Sequence, residues 1–107
     1  EAFQERTAAD IAQQMRARLG AGPVYVSVDI DVLDPAHAPG TGTPVVGGFT
    51  THDALRLLRG LAGLRIVGMD VVEVSPPFDH GEITALAGAS IAQELLAAFA
   101  SRFPGRT

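Results

Sequence analysis

The pattern with the clearest chemical potential is a pair of aspartates separated by one residue, Asp29 and Asp31. They follow a β-branched run, residues 24–28, that predicts a strand. Because side chains two apart in a strand point to the same side, we expect the two carboxylates to converge. Converging carboxylates repel each other unless a cation or a shared proton relieves them, and carboxylates bind divalent metals such as Mg²⁺ and Mn²⁺. The pair predicts either a metal site or a turn cap beside a solvated carboxylate.

A further acidic residue, Glu73, follows the apolar run of residues 66–72, which predicts a second strand. Open α/β sheets bind ligands outside the carboxyl ends of their strands, so Glu73 is either a cation-binding group or an ion-pair partner. Asp70 lies inside the same apolar run. Because a buried carboxylate needs a partner, we predict that Asp70 hydrogen-bonds to loop backbone.

The histidines and the glycine-rich loop carry weaker signals. His37 lies in the Pro/Gly-rich segment 31–49, and His52 and His80 lie near predicted helix starts. None of them forms a ligand pair at helical spacing, so we interpret all three as surface or capping residues. The loop lacks the glycine pattern of a phosphate cradle. Long irregular loops inside a compact domain are nevertheless often functional.

Three helices and two strands are predicted to position these residues, in alternating order. Thr7 and Asp10 have the spacing of a capping box at the start of the first helix, whose predicted apolar stripe is Ile11, Met15 and Leu19. The last helix, opened by residues 79–82 and running to about residue 101, is apolar on most sides, so we expect it to be mostly buried. Strand, loop, helix and strand form a βαβ unit with parallel strands. The apolar strands predict helices on both faces of the sheet.

Composition bounds the class of protein. The chain has 107 residues, of which 47% are hydrophobic and 19% charged, as in a small globular domain. The eight basic residues are scattered arginines and the net charge is −4, which argues against nucleic acid as a partner. The sequence has no run of about eighteen uninterrupted apolar residues, so it predicts no membrane-spanning helix. The absence of Cys excludes disulfides and thiolate chemistry. We expect a cytoplasmic protein.

The chain is expected to be part of a longer α/β domain. Two parallel strands rarely form a stable sheet alone, since three or more are usually needed. The chain also begins at Glu1 without an initiator Met or a signal-peptide pattern.

Two long motifs, in this order, resemble the ureohydrolase family, which includes arginases and agmatinases. The first is SVDIDVLDP at residues 27–35 with APGTGTP at 38–44 and a glycine pair at 47–48, and the second, GMDVVEVSPPFDH at 68–80, resembles the agmatinase side. The resemblance covers roughly residues 24–99. It implies an α/β fold of the arginase type, a three-layer α/β/α parallel sheet. Residues 1–107 would then be the C-terminal portion of a single ureohydrolase domain.

The resemblance also implies a chemistry and a set of site residues. A ureohydrolase uses two Mn²⁺ ions to hydrolyse a small guanidino substrate to urea and an amine. Carried over by motif, Asp29 would bridge both ions, Asp31 would bind one, Glu73 would pair with the guanidinium group, and Thr43 would lie near the substrate. The agmatinase-like motif favours agmatine, converted to putrescine, over arginine, with guanidinobutyrate and guanidinopropionate as alternatives. The family is commonly oligomeric, so we expect a homo-oligomer when the protein is full length.

One family motif does not occur in these residues. The Asp-x-His-x-Asp motif, which brings further metal ligands, is absent from the 107 residues, so the isolated chain is expected to be inactive. The main alternative is a truncated, non-catalytic product that folds only with a partner chain or its missing N-terminal half. A second alternative, Mg²⁺-dependent phosphoryl transfer, is disfavoured because no phosphate loop or Arg/Lys clamp lies near Asp29 and Asp31.

Overall fold

The protein, a computed structural model, is described over residues 7–103. Its helices are α1 (Ala8–Leu19), α2 (Thr51–Arg59) and α3 (Ile83–Ala100), its strands are β1 (Pro23–Asp29) and β2 (Arg65–Val72), and short 3₁₀ turns cover Ile30–Val32 and Pro76–Phe78. The predicted elements and their order are therefore confirmed. The expectation drawn from the chain start at Glu1 lies outside the described residues.

The two strands form a parallel pair, as predicted. Val28 of β1 lies opposite Val71 of β2, and the last residue of β1, Asp29, lies opposite Val72. A register shift between Val24 and Tyr25 accommodates one extra residue in β2. The carboxyl ends of both strands consequently lie at the same edge of the sheet.

Within residues 7–103, the helices cover one face of this sheet. Helix α3 packs on β2, α2 packs on α3, and α1 packs on α2. Strand residues Val26, Val28, Met69 and Val71 pack against the buried core on this face. On the opposite face, the side chain of Tyr25 is 61% exposed. The expectation that helices cover both faces is therefore not met by the described residues, which supply two layers of an α/β arrangement.

The open face carries a polar cluster instead. Asp70 accepts hydrogen bonds from the hydroxyls of Tyr25, at 2.7 Å, and Ser27, at 2.6 Å. Both hydrogen bonds lower the pKa of the Asp70 carboxyl, the one from Ser27 more than the one from Tyr25. The hydrogen bond between Tyr25 and Asp70 also raises the pKa of the Tyr25 phenol. The prediction of loop-backbone partners for Asp70 is wrong, because the parallel register sets Asp70 directly opposite Ser27.

Helix α1 begins as predicted but buries a different face. The capping box is present, since the Thr7 hydroxyl accepts from the Asp10 N–H at 3.2 Å and the Asp10 carboxylate accepts from the Thr7 N–H. The residues of α1 that are buried are Ala8 and Ala12, whereas the predicted stripe residue Met15 is partly exposed. Small side chains allow the helix to pack closely against α2, so the longer side chains lie beside the contact.

Helix α3 is less buried than its apolar sequence predicts. Thr84, Ile91 and Leu95 are buried against the rest of the chain, but Leu86 is 65% exposed and Leu96 is 60% exposed. The reason is that, among the described residues, only one side of α3 has neighbours. By length and composition alone α3 could cross a membrane, although Ile91 and Leu95 are packed here as in the core helix of a globular fold.

The start of α3 is capped from a distance. Glu82, next to the first helical residue, is in the left-handed region with φ 63° and makes no capping bond. Asp79 does so instead, accepting from the N–H groups of Thr84, at 2.9 Å, and Ala85, at 3.0 Å. Partial burial alone would raise the pKa of the Asp79 carboxyl. The hydrogen bonds from Thr84, Ala85 and His80 outweigh burial and lower that pKa to about 2.

The open sheet face and the exposed side of α3 predict how the isolated 107-residue chain behaves. Uncovered strand edges and apolar surface favour association over a unique folded state. We expect the purified chain to aggregate, or to give weak near-ultraviolet circular dichroism with fast amide exchange. A cooperative unfolding transition of a monomer would contradict this expectation.

Candidate metal centre

Asp29 and Asp31 lie close together, but not in the way that strand alternation predicts. Strand β1 ends at Asp29, and residues Ile30–Val32 form a 3₁₀ turn. The Asp29 Oδ1 atom accepts a hydrogen bond from the Asp31 backbone N–H at 3.0 Å. The prediction that both side chains project from one strand is therefore wrong, because Asp29 caps a turn that begins at the next residue. The turn-cap alternative is correct for one oxygen of Asp29.

Thr43 is brought to Asp31 by the loop. Its hydroxyl donates to the Asp31 Oδ2 atom at 3.2 Å, although twelve positions separate the two residues. Both side chains are accessible, with Asp31 half-buried and Thr43 exposed. The structure therefore unites Thr43 with one of the two aspartates.

The loop that carries these residues is fixed at its two ends. The Phe49 N–H donates to the Val32 carbonyl, and the Phe49 carbonyl accepts from the Asp34 N–H, both at 2.9 Å. Gly48 makes this approach possible, since a Cβ at that position would lie 2.6 Å from the Val32 carbonyl oxygen. Backbone contact of this kind holds the Asp31 turn against the far end of the loop.

Asp34 hydrogen-bonds to the backbone of the loop. Its carboxylate accepts from the Ala36 N–H at 2.9 Å and from the Gly47 N–H at 2.8 Å. These two hydrogen bonds lower the pKa of the Asp34 carboxyl. The carboxylate thus joins the two ends of the loop, in agreement with the turn-forming tendency of Asp before Pro.

Glu73 lies at the same sheet edge as Asp29. Val72 is opposite Asp29 in the register, and Glu73 is the next residue and exposed. Its φ of 71° places it in the left-handed region, which is unusual for residues other than Gly and is often found at functional sites. The backbone conformation of Glu73 is a functional signal that the sequence does not reveal.

Thr41 is a further residue of interest that sequence reasoning missed. It is 2% exposed, and its hydroxyl has no hydrogen-bond partner among the described residues. Buried hydroxyls are normally paired, so the Thr41 hydroxyl is unusual among the polar groups of this loop. The sequence offers no signal for it beyond its place between Gly40 and Thr43.

The two aspartates fit a divalent cation as part of its ligand set. Their carboxylate oxygens suit Mn²⁺ or Mg²⁺, and in residues 7–103 neither aspartate forms an ion pair with an arginine. The same residues contain no group of three or more His, Cys, Asp and Glu side chains placed to hold a metal. Of the histidines, His52 and His80 are exposed, and His37 lies 3.4 Å from the Thr51 hydroxyl.

Comparison with known proteins identifies the fold. The chain is 60% identical over 98 residues to the agmatinase of Photorhabdus laumondii, covering 92% of this chain and 32% of that protein. Its structure matches a proclavaminate amidino hydrolase from Streptomyces clavuligerus with a TM-score of 0.91 and 50% identity, over 94% of this chain and 33% of that one. An arginase from Bacillus subtilis matches with a TM-score of 0.82 and 33% identity, over 88% and 33% of the two chains.

These relatives settle the fold class and the family. The chain spans about a third of the length of the curated relatives that it matches, and the fold is the α/β fold of the arginases, of which the described residues form an incomplete part. The arginase family model matches residues 1–98. On that match and on the motifs at residues 27–48 and 68–80, the chain belongs to the arginase family of ureohydrolases.

Proposed function

We propose that the whole enzyme carrying this chain hydrolyses a small guanidino compound to urea and an amine, with agmatine as the preferred substrate. The observation that carries the proposal is the placement of three acidic residues, Asp29, Asp31 and Glu73, on segments that leave one edge of the sheet. Its support from relatives is the 60% identity to a protein named agmatinase. Hydrolysis adds water to the guanidinium carbon and breaks one carbon–nitrogen bond.

Asp29 and Asp31 are proposed to hold a pair of Mn²⁺ ions together with ligands from the rest of the enzyme. The Asp29 Oδ1 atom accepts a hydrogen bond from the Asp31 N–H. This bond fixes the carboxylate plane and leaves Oδ2 for a cation. The Thr43 hydroxyl restrains the Asp31 carboxylate through Oδ2, which leaves Oδ1 without a hydrogen bond in residues 7–103. When bound, a metal pair supplies a deprotonated water at neutral pH and stabilises developing negative charge.

Glu73 is proposed to bind the guanidinium group. A planar guanidinium presents parallel N–H donors that a carboxylate can accept in pairs. Glu73 directly follows the last residue of β2 and has a left-handed backbone. Because Val72 lies opposite Asp29, Glu73 leaves the sheet at the edge where β1 ends. Glu73 would thus orient the substrate carbon relative to the metal ligands.

The isolated chain is proposed to be inactive. A pair of Mn²⁺ ions needs more protein ligands than two carboxylates supply, and residues 7–103 contain no larger cluster of ligand side chains. The chain also spans only about a third of its curated relatives. Purified residues 1–107 should release no urea from agmatine, whereas the whole enzyme should do so.

Substitution of the aspartates tests the metal assignment. In the whole enzyme, Asp29→Asn should abolish urea release and empty or scramble both metal sites, because the bridging carboxylate is lost. Asp31→Asn should chiefly weaken one ion. Metal analysis of the purified variants, beside a urea assay with agmatine, measures both effects.

Asp34→Asn is the matched control for these two variants. It removes the same charge from the same segment, but the Asp34 carboxylate accepts from loop N–H groups, among them those of Ala36 and Gly47. We expect lower stability with a normal manganese content in the folded fraction. Full manganese content and activity in Asp29→Asn would refute the binuclear assignment.

Glu73→Gln tests the guanidinium contact. The substitution keeps the shape of the side chain and removes its charge, so kcat/KM for agmatine should fall by roughly several hundredfold or more while manganese content stays normal. Glu82→Gln is the matched control, because Glu82 is also exposed and also left-handed, with φ 63°. Equal kinetics for the two variants would return Glu73 to a purely structural role.

A further inference from the structure

The backbone of Gly40 is held from both sides at the point where two site segments meet. Its N–H donates to the hydroxyl of Thr84 at 2.7 Å, and its carbonyl accepts from the N–H of Ser75 at 2.6 Å. The contact is also close in space, since a Cβ at Gly40 would lie 2.9 Å from both the Thr84 hydroxyl oxygen and the Asp79 Cβ. Gly40 and Thr84 are both buried.

These bonds connect the two segments that carry the proposed substrate contacts. Ser75 lies two residues after Glu73, and Gly40 lies three residues before Thr43. Thr43 in turn donates to Asp31. A displacement of Gly40 would therefore be transmitted to Glu73 on one side and to Thr43 and Asp31 on the other.

Thr84 is oriented for this task by Asp79. The hydroxyl accepts from the Gly40 N–H, and the Asp79 side chain lies beside it, since a Cβ at Gly40 would lie 2.9 Å from the Thr84 hydroxyl oxygen and 3.0 Å from the Asp79 carboxyl carbon. Asp79 is fixed in turn by the backbone N–H groups of Thr84, Ala85 and His80. The pKa of the Asp79 carboxyl, about 2, keeps it an acceptor at neutral pH.

We propose that Thr84, oriented by Asp79, is a positioning residue that sets the distance between the guanidinium-binding segment at Glu73 and the metal-side segment at Thr43 and Asp31. The inference rests on the proposed function for the roles of those three residues. Thr84 itself touches neither substrate nor metal in this assignment, because its side chain is buried and its hydroxyl accepts from the Gly40 N–H.

Thr84→Val in the whole enzyme tests the proposal, since it keeps the shape of the side chain and removes the hydroxyl. We expect kcat/KM for agmatine to fall on the order of tenfold to a hundredfold, mainly through KM, because the substrate contacts shift relative to one another. Manganese content should stay normal. Thr84→Ser, which retains the hydroxyl, should recover most of the loss.

Amide hydrogen exchange gives a readout that does not depend on turnover. Thr84→Val should increase exchange at Gly40, Thr41 and Ser75. Thr7→Val is the control, because the Thr7 hydroxyl also accepts from a backbone N–H, that of Asp10, but bonds to neither loop, so it should leave both exchange at these amides and KM unchanged. If Thr84→Val does not fold, Thr84→Ala carries the same test, because it also removes the hydroxyl that accepts from the Gly40 N–H.

The outcomes separate the two proposals. Failure of the wild-type whole enzyme to release urea from any guanidino compound would overturn the proposed function and the positioning role with it. Wild-type activity together with an unchanged KM or unchanged exchange in Thr84→Val would overturn the positioning role alone. Loss of kcat/KM with recovery in Thr84→Ser and faster exchange at Gly40 and Ser75 would support it.

Discussion

Parallel pairing of β1 with β2 brings the two strand ends to one edge of the sheet, with Asp29 opposite Val72. The candidate site residues lie on the segments that leave this edge, so their mutual positions depend on that register. Hydrophobic contact maintains the register from one side only, where Val28 and Val71 pack against the core. A slip of one residue would move the core side chains to the open face and separate Asp29 from Glu73.

The segments beyond the strands are held by backbone hydrogen bonds more than by apolar contact. Asp34 joins the two ends of the long loop through its carboxylate, and Gly48 permits the backbone of Phe49 to bond directly to Val32. Such bonds fix direction and distance, which hydrophobic burial alone does not. A loop built in this way can present exposed polar groups such as Thr43 in a defined position.

Two unusual features, one of the backbone and one of a buried side chain, lie near the proposed chemistry. Glu73 adopts a left-handed backbone, and the Thr41 hydroxyl is buried without a partner among the described residues. A left-handed backbone costs free energy at a residue other than glycine, and Glu82 at the start of α3 shares that conformation. The polar open face around Tyr25 and Asp70 is likewise suited to further contact with the rest of an arginase-type sheet.

Local pattern determined which elements form and which residues are candidates for the chemistry. The capping pair at Thr7 and the two runs that form strands depend on neighbours in sequence, and the structure has them as predicted. The geometry of Asp31, the hydroxyl partners of Asp70 and the conformation of Glu73 could not be read in this way. Each depends on a 3₁₀ turn, a strand register or a backbone conformation that is selected by contacts between residues far apart in the chain. Those contacts exist only once the tertiary structure has formed.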